Sequence, residues 1–414
     1  MPSALRRRVL DALAAHGGSG DRLLEPPSPD DVAEALRRAG HDALVYLVAG
    51  GQGRGGHALV LTRKGELHTL RLPRLNEDAP PLRAHLDAQQ HAARDLGPAP
   101  AAAPPPGPAP RRTLDDLAAW AWRTAVGPLL AELAPAGRPP RLVLVPMGAL
   151  GVVPWHAAWT GKGRRRYALQ EAEFSYAASA RLYCESAARA PATGTGPALV
   201  VGDPTGDLPG AGEEAVAVHR AFHPDGRYLG RRTAPPPDGP GTPAEVLAWL
   251  RSTAGAGAPP GAGVLHLACH ATVTPTERHS AGLELAGGRL TAEELTEAAE
   301  AAGARLGLVV LAACRSHVSG RGHNEAYSLA TAFLVAGAHT VLGSLWQVPD
   351  DATSVLMYLR EGDPPVAALR RAQLVLVDPG RAGLGELPPA LAARAARIDP
   401  DDLTGWAAFA HLGR

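Results

Sequence analysis

From residue 243 to residue 359 the chain alternates short apolar runs with helix-forming stretches, and this alternation constrains the fold more than any other feature. Two of the runs stand out. Val264-Leu265-His266-Leu267-Ala268-Cys269 ends at His270, and Leu308-Val309-Val310-Leu311-Ala312-Ala313 ends at Cys314. Runs of this length bounded by turn signals read as buried strands. Strands that alternate with helices imply an α/β protein with a mostly parallel sheet covered on both faces. In such sheets ligands and chemistry gather at the carboxyl ends of the strands. If these two strands lie side by side, an imidazole and a thiol meet at one edge of the sheet.

The remaining elements follow from local signals. Ser28, with Pro29 behind it and Asp31 three residues on, opens a helix. Residues 43–48, 57–62 and 67–72 read as a three-strand meander around the Lys64-Gly65 turn. Its glycines at 50–56 lack the helix that a phosphate-binding loop needs. Thr242-Pro243-Ala244-Glu245 is a capping box, and Thr291 with Glu294 caps a later helix. Five segments are expected: a helical stretch over 1–25, a small α/β part over 26–96 and a Pro/Ala linker over 97–112. The rest of an N-terminal lobe then spans 113–197 and a C-terminal lobe 198–414.

Composition excludes several classes. Basic and acidic residues balance at 41 each, so no net field draws the chain to nucleic acid or to an anionic membrane. No apolar run reaches the ~18 residues a membrane span needs, and the basic N-terminus is not followed by a signal-peptide core. Three irregularly spaced cysteines, Cys184, Cys269 and Cys314, suit a reducing compartment better than a disulfide framework. A cytoplasmic protein is expected.

Most candidate residues have a bland reading. His266 lies within an apolar run and reads as a core histidine, and Cys269 should point to the opposite face from His270. His279, His317 and His323 match no familiar metal-ligand spacing, so no metal is expected. The stretch 206–212 reads as a flexible loop, because Asp207, Glu213 and Glu214 repel an anion. No Gly-x-Ser-x-Gly elbow of an α/β hydrolase is present. His270 and Cys314 are different, because each is followed by a short turn-prone segment that leaves it at the sheet edge. Their spacing, 44 residues, is close to the ~50 of the caspase pattern, and Ala313-Cys314-Arg315 fits the middle of that motif. A thiol near neutral pH needs a base to become the thiolate nucleophile, and an imidazole can accept that proton and return it to the leaving amine. Backbone N–H groups of Cys314 and of Ala271, just after the histidine, would hold the developing oxyanion.

From His266 to Gln373 the chain resembles the CHAT family, relatives of caspases and separases. The segments that carry the resemblance occur in order. They are Leu267-Ala268-Cys269-His270, residues 290–295, Val310-Leu311-Ala312-Ala313-Cys314, residues 329–338, Ser344-Leu345-Trp346-Gln347-Val348-Pro349-Asp350, residues 367–373 and Trp406-Ala407-Ala408-Phe409. Upstream, residues 143–154, Ser179 and Gly202-Asp203-Pro204 resemble the more variable N-terminal part. The likeness begins near residue 26 and is strongest over 198–414. It implies a caspase-like three-layer α/β sandwich with a degenerate N-terminal lobe and a catalytic C-terminal lobe.

The resemblance further implies a cysteine endopeptidase in which His270 is the general base and Cys314 the nucleophile, with no cofactor. In the separase branch an acidic residue after the Leu-Trp segment reads a basic P1 side chain. The matching position here is Asp350, with Asp351 beside it, and the same Asp-Asp pair also suits a helix N-terminus. Relatives often act as regulated effectors in bacterial defence or signalling. With no repeat array in this chain, a sensor or activator would be a separate partner protein or the short N-terminal segment. Two positions depart from the family pattern. Ala271 stands where glycine is usual, and Arg315 replaces an acidic residue after the nucleophile. Both departures support the alternative of a catalytically inactive CHAT-fold scaffold that binds a partner protein.

Overall fold

The structure, a computed structural model, describes residues 26–94, 108–133, 137–189, 195–232, 234–253, 262–273, 281–303, 306–312, 328–346, 348, 350–359, 364–380 and 384–414. In chain order the strands are β1 (Ala43–Val48), β2 (Gly56–Thr62), β3 (Leu67–Leu72), β4 (Arg141–Pro146), β5 (Trp159–Thr160), β6 (Arg166–Tyr167), β7 (Glu173–Tyr176) and β8 (Thr195–Gly202). They continue with β9 (Arg227–Gly230), β10 (Ala262–Ala268), β11 (His270–Val273), β12 (Ala281–Leu285), β13 (Gly288–Thr291), β14 (Leu306–Leu311), β15 (Thr340–Ser344) and β16 (Phe409–Gly413).

Eleven of them form one sheet in the order β3-β2-β1-β4-β7-β16-β15-β14-β10-β8-β9. The meander at one end and the β15–β16 pair are antiparallel. The other seven pairings are parallel. The mostly parallel α/β architecture is therefore present, and it is one continuous sheet. Strand β16, from the end of the chain, lies between the N-terminal strand β7 and the C-terminal strand β15. It meets β7 at a single aligned residue pair, Leu412 and Tyr176.

Helices cover both faces of the C-terminal half, because buried parallel strands present apolar side chains on both sides. On one face Val200, Val310 and Leu342 pack against Ala215, Val355, Leu356 and Leu369 of the helices Pro209–Phe222, Asp350–Leu359 and Pro365–Val377. On the other, Leu265, Leu267, Val309 and Leu311 pack against Trp249, Leu295 and Phe333 of the helices Pro243–Ser252, Ala292–Ala302 and Leu329–Val335.

The caps read from sequence form as hydrogen-bonded pairs. Ser28 and Asp31 bond reciprocally, as do Thr242 and Glu245, and Thr291 and Glu294. Two sequence readings differ from the structure. Residues 271–273, expected as a polar turn, are a strand that pairs antiparallel with β12, which pairs in turn with β13. A helix starts at Pro108, inside the stretch read as linker, and continues through a π-helical turn at Trp122–Val126 to Leu133. Residues 1–25 and 95–107 lie outside the described residues.

Candidate active site

Strand β10 carries its side chains alternately to the two helical layers, which separates the residues at its carboxyl end by role. Leu265, Leu267 and Cys269 enter the core on one side, and Cys269 is buried there as its position in the run implies. His266 faces the other side and is fully buried, with Nε2 2.9 Å from Glu214 Oε1 on the helix Pro209–Phe222. That is the satisfied core histidine expected from its apolar surroundings. His270 follows Cys269, and its side chain is 16% exposed where β10 gives way to β11. It sits opposite Glu284 in the small antiparallel sheet, and Ala271 sits opposite Leu283.

A tight loop after the neighbouring strand β8 folds against this end of β10. Asp203, buried and in a left-handed backbone conformation at φ 44°, organises it. Its Oδ1 accepts hydrogen bonds from the N–H groups of Gly206 at 2.8 Å and Leu208 at 2.9 Å. Its own N–H donates to the carbonyl of Ala268 at 3.0 Å, tying the loop to the last residue of β10. Gly206, at φ 81°, supplies the second left-handed position that the turn requires. The loop delivers Asp207, whose Oδ1 lies 3.2 Å from His270 Nε2 and also accepts from the Thr205 hydroxyl. Burial raises the Asp207 carboxyl. The Thr205 hydrogen bond and the charge and hydrogen bond of His270 outweigh burial and hold it below the ordinary carboxylate value.

Strand β14 lies directly beside β10, in parallel, with Leu308 to Leu311 aligned with Val264 to Leu267. Each aligned pair is separated by 44 residues, the same offset that separates His270 from Cys314. Val310 and Ala312 pack on the face of the sheet that also holds Ala268. Cys314 and Arg315 lie outside the described residues, as do His279, His317 and His323.

The other predicted site residues fall as follows. Ala271 has the extended backbone of a strand, with its methyl group packed against the core. Alanine adopts that conformation as readily as glycine, so the departure at this position asks for no left-handed backbone. Asp350 is the first residue of the helix Asp350–Leu359, and its side chain lies outside what is described. Asp351, 40% exposed, is engaged by Arg397 through Nη2 at 2.9 Å from Oδ2, and Arg394 Nε stands 3.7 Å from Oδ1. A carboxylate committed to two guanidinium groups has little capacity left for a third cation. Among the described residues no group of three His, Cys, Asp or Glu is placed to hold a metal ion, and no helix is long and apolar enough to cross a membrane.

Asp207 was missed in the sequence. Asp203-Pro204 followed by Gly206 is a legible turn signal, but the partner of Asp207 lies 63 residues away and depends on β8 and β10 being neighbours.

Known proteins agree with this architecture. The chain aligns with a chain of the Saccharomyces cerevisiae separase–securin complex in two crystal structures. The TM-scores are 0.55 at 10% identity and 0.52 at 9% identity, each covering 92% of this chain. It spans 31% and 30% of those chains. At such identity the likeness is one of fold. No curated protein matches the chain in sequence. The CHAT domain family model matches residues 115–414, which holds every strand from β4 to β16 and the whole of the site. The chain therefore belongs to the CHAT-domain family.

Proposed function

We propose that this protein is a CHAT-type cysteine endopeptidase in which His270 is the general base and Cys314 the nucleophile. One observation carries the reading. The β10–β14 register repeats the 44-residue His270–Cys314 spacing, and His270 follows directly on the carboxyl end of β10, which supports a meeting of imidazole and thiol at that end of the sheet. The family membership and the separase-like fold support it independently.

In the reaction His270 takes the thiol proton, and the Cys314 sulfur bonds to the scissile carbonyl carbon. The N–H groups of Cys314 and Ala271 stabilise the oxyanion. The C–N bond then breaks, and the amine leaves with the proton held by His270. Water, deprotonated by the same imidazole, cleaves the thioester to release the carboxylic acid and restore the thiol. The chemistry as written calls on no cofactor. Asp350, after Ser344-Leu345-Trp346, is the group that would read a basic P1 side chain, and the Arg397 pairing of Asp351 leaves that task to Asp350. The protein would work in the cytoplasm as a regulated effector in bacterial defence or signalling, under a separate sensor or activator protein. The structural relative is named in complex with securin, which supports a protein partner here.

The test is cleavage of a peptide library with basic, acidic and apolar P1 residues by wild type, Cys314→Ser, His270→Ala and Asp350→Ala. Cleavage after Lys or Arg that is lost in the first two variants and loses its P1 preference in the third is expected. Equal cleavage by wild type and Cys314→Ser rejects the nucleophile, and a non-basic preference rejects Asp350 as the P1 reader.

A further inference from the structure

We infer that Asp207 is the positioning residue of the site, holding the His270 ring with its proton on Nε2 so that Nδ1 is the atom that takes the thiol proton. The inference rests on the reading of His270 as the general base. Its evidence is the 3.2 Å contact between Asp207 Oδ1 and His270 Nε2, the hydrogen bond that the described residues make to this ring. An ionised carboxylate can only accept, so in this contact Nε2 must donate. A neutral imidazole has one N–H, which leaves the lone pair on Nδ1. The carboxylate remains ionised in this setting because the Thr205 hydroxyl and the His270 ring both favour its charged form over burial.

The placement of Asp207 is built rather than incidental. Asp203 folds the loop by accepting from Gly206 and Leu208, on either side of Asp207. The same residue's N–H ties the loop to Ala268, two residues before His270. The Thr205 hydroxyl bonds the Asp207 oxygen that faces the ring, which fixes its rotamer. A hydrogen-bond partner on the far nitrogen sets both the tautomer and the orientation of a catalytic imidazole.

The experiment uses the full chain labelled with 15N-histidine, with His270 assigned by the His270→Ala variant. Long-range 1H–15N correlation at pH 8 reads the tautomer directly, without activity. The expected result is a ring protonated on Nε2 in wild type and shifted toward the Nδ1–H form in Asp207→Asn. A ring already protonated on Nδ1 in wild type, or unchanged in Asp207→Asn, overturns the inference. Peptide cleavage is measured in parallel, with a fall in kcat of at least about 10-fold and KM within about twofold expected for Asp207→Asn. Thr205→Val, which keeps the carboxylate, should fall between that variant and wild type. Asp207 is 39% exposed, so thermal melts of these variants should match wild type and exclude unfolding as the cause. If His270→Ala cleaves as well as wild type, the reading of the base has failed. If His270→Ala is inactive and Asp207→Asn keeps both tautomer and kcat, only the role of Asp207 has failed.

Discussion

Burial lowers the pKa of His41, His85 and His411, and the fold is expected to lose stability in mild acid. His41 packs at the start of β1 with Nδ1 2.9 Å from the Tyr183 hydroxyl and Nε2 3.1 Å from the Ser175 hydroxyl on β7. His411 lies buried on β16, and His85 contacts Trp346 edge-on at 6.3 Å between ring centroids. Burial, reinforced by the Arg141 charge, lowers His41 from 6.5 to about 4, and burial lowers His85 to about 4. Burial and the proximity of His41 take His411 to about 3. The folded chain thus holds all three neutral at pH values where the unfolded chain binds protons. Their contribution is complete above about 6.5, declines as the pH falls below it, and is lost once the pH passes their folded values. At pH 5 the linkage amounts to about 2 kcal/mol for each histidine and on the order of 6 kcal/mol for the three. That is comparable with the whole stability of a typical domain, about 5–15 kcal/mol. The assay is the urea midpoint between pH 7.5 and pH 4.5, with His411→Leu alongside wild type. Wild type should lose stability steeply below pH 6.5. His411→Leu should match or exceed it at pH 7.5, because it replaces a polar ring in the core with an apolar side chain, and should show a shallower pH dependence. A midpoint that is flat from pH 7 to pH 5, or an unchanged slope in His411→Leu, would refute the reasoning.

Further outcomes follow from individual contacts. Glu214→Ala removes the buried carboxylate 2.9 Å from His266 Nε2 and should cost about 1–3 kcal/mol by denaturant titration, with a smaller loss expected for the double variant with His266→Leu. Thr242→Ala removes a hydroxyl that accepts from Glu245 N–H in a reciprocal cap, and should cost about 1 kcal/mol in the same titration. Ala271→Gly should not raise peptide turnover, since this residue is already extended in β11, and should lower stability by about 0.5–1 kcal/mol; a gain in turnover would mean that the loop needs glycine's freedom.

What the sequence made legible was local or periodic. Capping pairs three residues apart at Ser28, Thr242 and Thr291 were readable because both partners sit on one turn of helix. The meander over β1 to β3 and the buried runs of β10 and β14 were readable because strand periodicity and turn residues lie in the same short window. What escaped depends on neighbours distant in the chain. Residues 271–273 look like a turn until β12 supplies a pairing edge. Strand β16 shows its role only when seen inserted between β7 and β15, both far from it in the chain. Asp207 looked like part of a flexible acidic loop, since nothing local shows that the Asp203 turn carries it to His270. The histidine itself was visible because the end of a buried strand is a position that sequence alone can mark.

The central claim is that His270 activates Cys314, and the most direct measurement is the iodoacetamide alkylation rate of each cysteine at pH 6.5, mapped by mass spectrometry. The chain carries its own references. Burial pushes the Cys184 thiol up to about 11, and Cys269 is enclosed in the core, so both should react slowly. Cys314 should be alkylated at least tenfold faster than either in wild type and fall to their level in His270→Ala. A Cys314 that reacts no faster than Cys184, or whose rate is unchanged in His270→Ala, would contradict the pairing.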